Sequence, residues 1–262
     1  MNLSCIFQKL QRLQALFLAA ILVICLSLTI GSPAALSANN TPEIDRKLKE
    51  QVLQIIHDNP EAILESVRDY QLEQQNQLRL ARESFLDGVK NNPKTAIAES
   101  PVVGSPTQEI LLLEFSDFQC QFCAQAHKTI SQFMAKHQDQ VTLVYKHLPL
   151  VAIHPQSLPA AQAAWAAQQQ GKFWEYHNAL FDAQQDLNEE LYIAIAKNLN
   201  LDLDRFNSDR NSSAARAAIQ KDMELALKLG IEGTPFFILE GETFSGVLEL
   251  AEMENILAKV SS

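Results

Sequence analysis

Ile110-Leu-Leu-Leu-Glu-Phe-Ser-Asp-Phe-Gln-Cys-Gln-Phe-Cys-Ala124 joins an apolar run to a helical pattern through two cysteines. Ile110 to Phe115 is apolar except for Glu114 and reads as a strand, while Ala124 to Lys136 carries its apolar residues at helical spacing. The junction puts Cys120 at the start of a helix, where unpaired N–H groups and the positive dipole end stabilise a thiolate. Cys123 lies about one helical turn further on, within reach of a mixed disulfide at the first sulfur. This spacing points to thiol–disulfide exchange, with Cys120 as the nucleophile, Cys123 as the resolving thiol and a redox disulfide Cys120–Cys123 between them. The competing use of such a pair is a metal site. His127 offers a third ligand, and no fourth is evident.

The remaining cysteines, Cys5 and Cys25, fall in a segment with the layout of a secretory leader. Lys9 and Arg12 precede an apolar run from Ala15 to Ile30, and the small-residue stretch Ser32–Ala38 follows. Residues 1–38 are therefore expected to be a signal peptide, with an uncleaved membrane anchor through residues 15–30 as the rival. After cleavage only the Cys120/Cys123 pair would remain. Cysteines so close in sequence cannot staple a fold of this size, so they are left for chemistry in an oxidising, extracytoplasmic compartment such as a bacterial periplasm. The chain has 21 basic and 31 acidic residues, a net charge of −10. That balance argues against nucleic acid and anionic membrane as partners.

Working outward, residues 39–90 read as a helical region. Thr41 and Pro42 suit a helix start, and Asp58-Asn59-Pro60 breaks the pattern and restarts it. The apolar face is narrow and turns polar at Gln71–Gln77, which leaves packing on the main domain, a stalk or self-association (homo-oligomer) as its uses. Residues 91–109 hold three prolines and Gly104 and read as a linker. The second domain, 110–262, continues with a strand at Val141–Lys146 and helical patterns over Pro159–Gln170, Phe173–Ala183, Glu189–Leu199 and Ala214–Leu229. Strands at Thr234–Leu239 and Thr243–Phe244 and a helix at Glu249–Val260 close the chain. The expected class is α/β, in a thioredoxin-like order with a helical domain inserted at about 154–229.

Glu114 lies in the apolar strand, where burial raises a carboxyl pKa and suits it to take a proton from Cys123. Asp117, by contrast, reads as a solvated loop residue. Pro235, at the start of a strand in Gly233-Thr-Pro-Phe, marks an edge, a bulge or a cis bond. Phe118 and Phe122 flank the cysteines and, if exposed, offer apolar contact to unfolded chains. His127, His137, His147, His154 and His177 have no partners at catalytic spacing and read as surface or core residues. Trp165, Phe173, Trp174, Tyr176 and Phe181 read as the core of the helical insert.

Glu114-Phe-Ser-Asp-Phe118, Lys146-His-Leu-Pro-Leu150, Lys172-Phe-Trp-Glu-Tyr-His-Asn-Ala-Leu-Phe181, Gly233-Thr-Pro-Phe-Phe237 and Phe244-Ser-Gly246 resemble the DsbA family of exported thiol:disulfide oxidoreductases. The N-terminal helices, with their Asp-Asn-Pro break, resemble the ScsC-type subgroup, in which this region can drive oligomerisation and some members isomerise disulfides. The resemblance implies that Thr234 and a cis Pro235 face the dithiol and pair with extended substrate in β-fashion. It implies no metal or organic cofactor. Its implied partners are cysteine-containing exported clients and either a DsbB-like or vitamin-K-epoxide-reductase-like membrane partner or an electron donor. Gln121-Phe122 replaces the Pro-His of strong oxidases and brings no positive charge, which points to a weaker oxidant. A chaperone that holds clients without exchange and a copper(I)-handling protein are the readings from other classes.

Overall fold

The apolar run forms strand β2 (Ile110–Ser116) in a computed structural model that describes residues 45–107 and 109–260. β2 pairs in parallel with β3 (Val141–His147) and antiparallel with β4 (Phe236–Leu239). β5 (Glu242–Ser245) pairs with β4 as a hairpin turning at Glu240-Gly241, and β1 (Val102–Gly104) lies antiparallel outside β3. The five-stranded order is β1-β3-β2-β4-β5, with β2 central. Alternation along β2 separates two cores. Leu112 faces α4 (Gln121–His137) and α10 (Leu250–Val260) with Ile130, Phe133 and Met253. Leu111, Leu113 and Phe115 face the opposite way, toward Ala226 and Leu229. Glu114 shares the α4 side with Leu112, so the strand's single charge points into a core.

The helical insert between β3 and β4 consists of α5 (Ser157–Gln168), α6 (Phe173–Asp182), a 3₁₀ turn (Gln184–Asp186), α7 (Glu189–Asn198), α8 (Leu203–Arg210) and α9 (Ser213–Lys228). Phe173, Tyr176 and Phe181 are in its core, while Trp165 and Trp174 are half-buried. α8 has no sequence counterpart above because its only buried side chain is Phe206. It is held instead by Asp202, whose carboxylate accepts from the Arg205 N–H at 3.0 Å. α9 is tied to β3 by a buried ion pair, Lys146 Nζ to Asp222 Oδ1 at 3.3 Å, and Asp222 Oδ2 accepts from the His147 N–H at 3.0 Å.

Ahead of the sheet lie α1 (Arg46–Asp58), α2 (Pro60–Asn91) and α3 (Lys94–Ile97). The leader expected at 1–38 and the helix start expected at Thr41–Pro42 lie outside the described residues; Asp45 caps α1 within them. No helix among the described residues is long and apolar enough to cross a membrane. The chain divides into two compact units at Glu65/Ser66. In the described part of the first, α1 buries none of its residues, and Leu48, Val52, Leu53, Ile55 and Ile56 are exposed. In the second, the last turns of α2 join the domain. Phe85, Leu86 and Val89 pack with Leu111 and Ile238, and Arg82 Nε donates to the Leu229 carbonyl at 2.6 Å.

The stretch 91–109 is not a linker. It supplies α3 and the edge strand β1, and buries Ala96 and Ile97. Tyr145 N–H donates to the Pro101 carbonyl at 3.1 Å, Trp174 Nε1 to the Val102 carbonyl at 2.9 Å, and Thr142 Oγ1 to the Ser105 carbonyl at 2.8 Å. Pro93 and Pro106 sit at turns, and its glycine meets a steric demand. Gly104 has φ of 110°, and a Cβ there would lie 2.2 Å from the Val141 carbonyl oxygen. Gly104→Ala is therefore expected to cost more than about 1 kcal/mol, lowering the thermal midpoint by at least about 2–4 °C. A melting curve superimposable on the wild type would show that the segment is dispensable after all.

Candidate active site

β2 ends where the sheet's edge meets α4, and the short loop Asp117–Gln119 delivers Cys120 to the N-cap position of that helix. Cys120 has an extended conformation, φ −74° and ψ 118°, and its side chain makes no capping bond. The loop is held by its own backbone, with Cys120 N–H donating to the Asp117 carbonyl at 3.1 Å. Both cysteines are free thiols. Cys120 keeps 5% of its surface and Cys123 none, so the sulfur at the helix mouth is the one a partner reaches first.

Thr234–Pro235 is a cis peptide, which selects one of the three alternatives open from sequence. It faces the dithiol: the Cys120 thiol donates to the Thr234 carbonyl at 3.4 Å. The Cys120 thiol pKa is lowered to about 5. The neighbouring Cys123 thiol is the largest cause, burial opposes it, and the N–H groups of Cys123 and Phe122 add to the lowering. The helix terminus and local N–H groups expected from sequence take part, and the second sulfur adds the larger contribution. Cys123 moves in the opposite sense. Burial pushes its pKa up strongly, and the charge of Cys120 adds to the effect. The Asp117 N–H points at Cys123 Sγ from 3.5 Å.

Glu114 is buried, and burial raises its carboxyl to about 7, with the Ser116 hydroxyl pulling slightly the other way. Its Oε1 and the hydroxyls of Tyr145 and Thr234 are buried without a hydrogen-bond partner among the described residues. Glu114 pairs in register with Tyr145 on β3, whose pKa is raised by burial first and then by charge on Glu114 or Cys123. A cleft of about 210 Å³ lined by Glu114, His127, Trp174, His177 and Asn178 reaches this acid from the side of α6.

Two expectations from sequence are corrected. Phe118 is not exposed: it stacks on Tyr145 at 5.4 Å between ring centres and packs against Phe181 at 5.1 Å, because the loop turns its side chain under the helix mouth. Phe122 is 51% exposed and remains available to a partner. Asp117 is not solvated. Its Oδ1 accepts from the Gln119 N–H at 2.8 Å, and its Oδ2 accepts from the Leu150 N–H at 3.0 Å and pairs with His154 Nδ1 at 2.7 Å. This carboxylate fastens the loop after β3 to the loop before Cys120.

The histidines have structural surroundings. His147 and His177 are buried and their pKa values are pushed down to about 3, by burial first. His127 stacks on Phe181 at 5.0 Å. Among the described residues no three Cys, His, Asp or Glu side chains converge as a metal-ligand set, so His127 does not join the cysteines. Sequence reasoning missed Gln184. From the 3₁₀ turn of the insert its Nε2 donates to the carbonyls of Phe118 and Cys120, both at 2.8 Å. Only the folded insert brings it there.

The thioredoxin family model matches residues 95–259, a span that opens ahead of β1. A thioredoxin-like oxidoreductase from Silicibacter pomeroyi is 31% identical with a TM-score of 0.59, covering 67% of this chain and 96% of its own. The thiol-disulfide exchange protein α-DsbA2 from Wolbachia pipientis superposes with a TM-score of 0.60 at 21% identity, over 68% of this chain and 97% of its own. ScsC from Proteus mirabilis, in a transitional conformation, gives 0.59 at 22% identity, over 82% and 95%. Curated relatives include the Na⁺/H⁺ antiporter NhaA 3 of Salinispora tropica, 34% identical over 145 residues. That match takes in 55% of this chain and 22% of the antiporter, so the chain spans less than a quarter of that relative's length. A cis-proline loop against a helix-mouth dithiol on a β1-β3-β2-β4-β5 sheet places the chain in the thioredoxin family, with DsbA-type exchange proteins among its structural neighbours.

Proposed function

We propose that this protein is an exported thiol:disulfide oxidoreductase acting on cysteine-containing client proteins. The observation that carries the reading is the placement of the two thiols: Cys120 keeps a little exposure at the helix mouth against the cis Thr234–Pro235 bond, Cys123 is fully buried behind it, and their pKa values move down and up accordingly. Such a pair has one good attacking and leaving sulfur and one that needs a base.

In the reducing direction, the Cys120 thiolate attacks a client disulfide. A bond forms from Cys120 Sγ to one client sulfur, and the other client sulfur leaves as thiolate. Glu114 takes the Cys123 proton, and Cys123 attacks Cys120 Sγ. The Cys120–Cys123 disulfide forms and the second client thiolate leaves, two electrons having passed from the dithiol to the client. The oxidising direction is the reverse, with Glu114 returning the proton as Cys123 leaves. Thr234 and Pro235 line the approach, where the client backbone pairs in β-fashion. Phe122, Val151 and Ile153 are exposed; the last two lie on the loop that Asp117 ties to the dithiol, so together they offer apolar contact. Phe118 has no part in that surface. Turnover needs a second partner: a DsbB-like or vitamin-K-epoxide-reductase-like membrane protein for oxidation, an electron donor for reduction or isomerisation.

The exposed apolar side chains of α1 support self-association through the N-terminal region as a second element of the reading. Because Arg82, Phe85, Leu86 and Val89 belong to the catalytic domain, the test uses Leu48→Glu, Leu53→Glu and Ile56→Glu together in the full chain. The expected result is a drop in solution mass to the monomer; wild type and variant of equal mass would sink the oligomer.

Three measurements bear on the chemistry. Equilibration with glutathione buffers, with trapped thiols counted, should give a potential at about −180 to −230 mV, weaker than the about −120 mV of the strongest oxidant. Cys120→Ser should abolish exchange, whereas a chaperone without exchange would keep its client holding in full. For Glu114, the folded chain binds its proton up to about pH 7, whereas an unfolded carboxyl releases it near 4.5. Stability from the neutral carboxyl is thus present in full below pH 4.5 and lost as pH rises through about 7. Relative to the wild type, Glu114→Gln should gain on the order of 3 kcal/mol in stability between those limits, while resolution by Cys123 slows at least about tenfold. Equal pH dependence in the two proteins would remove Glu114 from this role.

A further inference from the structure

Gln184 is the one side chain of the helical insert that donates hydrogen bonds directly to the peptide carrying the nucleophile. It is buried, its amide nitrogen has two N–H groups, and each has a carbonyl at 2.8 Å: Phe118 on one side, Cys120 on the other. Phe118 packs its ring in the core beneath the helix mouth. The Cys120 carbonyl also takes the first turn of α4, accepting from Cys123 N–H at 3.0 Å and Ala124 N–H at 3.2 Å. A second tie runs alongside. Gln119 Oε1 accepts from the Gln156 N–H at 2.6 Å, and the Tyr192 hydroxyl bonds Gln156 Oε1 at 3.0 Å. The loop before the dithiol is therefore held by the insert through side-chain amides, with no charge brought to the sulfur.

We propose that Gln184 is a positioning residue for the exchange reaction: by clamping the Phe118 and Cys120 carbonyls it turns them into the insert and holds Cys120 at the N-terminal mouth of α4. The inference rests on the thiol-exchange reading above and adds its control point. A carbonyl oxygen is the negative end of the peptide dipole, so its direction relative to a neighbouring thiolate matters as much as its hydrogen bonding. Without the amide, the Phe118 carbonyl loses its side-chain donor in a buried place, and the loop must turn to satisfy it. Cys120 sits two residues along that loop and turns with it. No other neutral side chain supplies two adjacent N–H donors at this reach except the shorter Asn.

The test compares Gln184→Met, which keeps the volume and removes both donors, with Gln184→Asn, too short to bridge both carbonyls. The reduced proteins are titrated by thiolate ultraviolet absorbance and equilibrated with glutathione. In Gln184→Met the Cys120 titration midpoint should rise by about one pH unit. Its dithiol/disulfide ratio should shift about tenfold toward disulfide, about 30 mV more reducing. Gln184→Asn should fall between Gln184→Met and the wild type. A purely structural glutamine would lower the thermal midpoint and leave titration and potential at their wild-type values in both variants, and that result overturns the proposal. The titration needs no exchange partner. A wild-type protein that never equilibrates with glutathione would refute the exchange reading, while the titration would still decide the role of Gln184.

Discussion

Two sulfurs one helical turn apart share one small volume, and unequal burial together with the contact between them sets them apart. Cys120 has no more than a slit to solvent, yet it lies against the N–H groups of the first turn of α4 and the thiol of Cys123. Cys123 lies inside that turn, where desolvation outweighs every stabilising contact. The same low dielectric raises the carboxyl of Glu114, on the strand that leads into the dithiol, to about 7. A more open site would bring Cys123 and Glu114 back toward their ordinary values.

The rest of the architecture serves that burial. β2 is covered on both faces, which needs α4 and α10 on one side and α9 with the end of α2 on the other. The loop after β3 and the 3₁₀ turn of the insert close over residues 117–120, through Asp117 to Leu150 and His154 and through Gln184 to Phe118 and Cys120. The insert therefore does more than cover the dithiol's flank: its polar side chains complete the hydrogen bonding of a loop that has little regular structure of its own. The histidines fit the same pattern. Packed among aromatic rings, with burial lowering the pKa of both, His127 and His177 fill space in the cleft that reaches the acid.

Much of the fold was legible because its elements are long, periodic and apolar. β2, β3 and α4 were read within a residue or a few, as were the long helices of the insert. Short elements stabilised from outside were not. β1 has three residues, two of them exposed, and exists because β3 offers a free edge. α8 is polar with one buried ring. Proline and glycine in 91–109 suggested a linker, yet Pro93 caps a short helix, Gly104 ends the edge strand and Pro106 turns the chain after it.

The sequence by itself determined the dithiol, its strand-to-helix setting, the acid in β2 and the Thr-Pro dipeptide, since each is a local pattern whose chemistry follows from residue type and spacing. Only the tertiary structure decided which neighbours act on them. The cis Thr234–Pro235 bond met Cys120 from 114 residues away, Asp117 turned inward to His154, Phe118 went beneath the helix mouth while Phe122 stayed outside, and Gln184 arrived from the insert. Hydrogen bonds and desolvation act over a few ångströms in space. A chain carries no local mark of the residues that folding will bring within that distance.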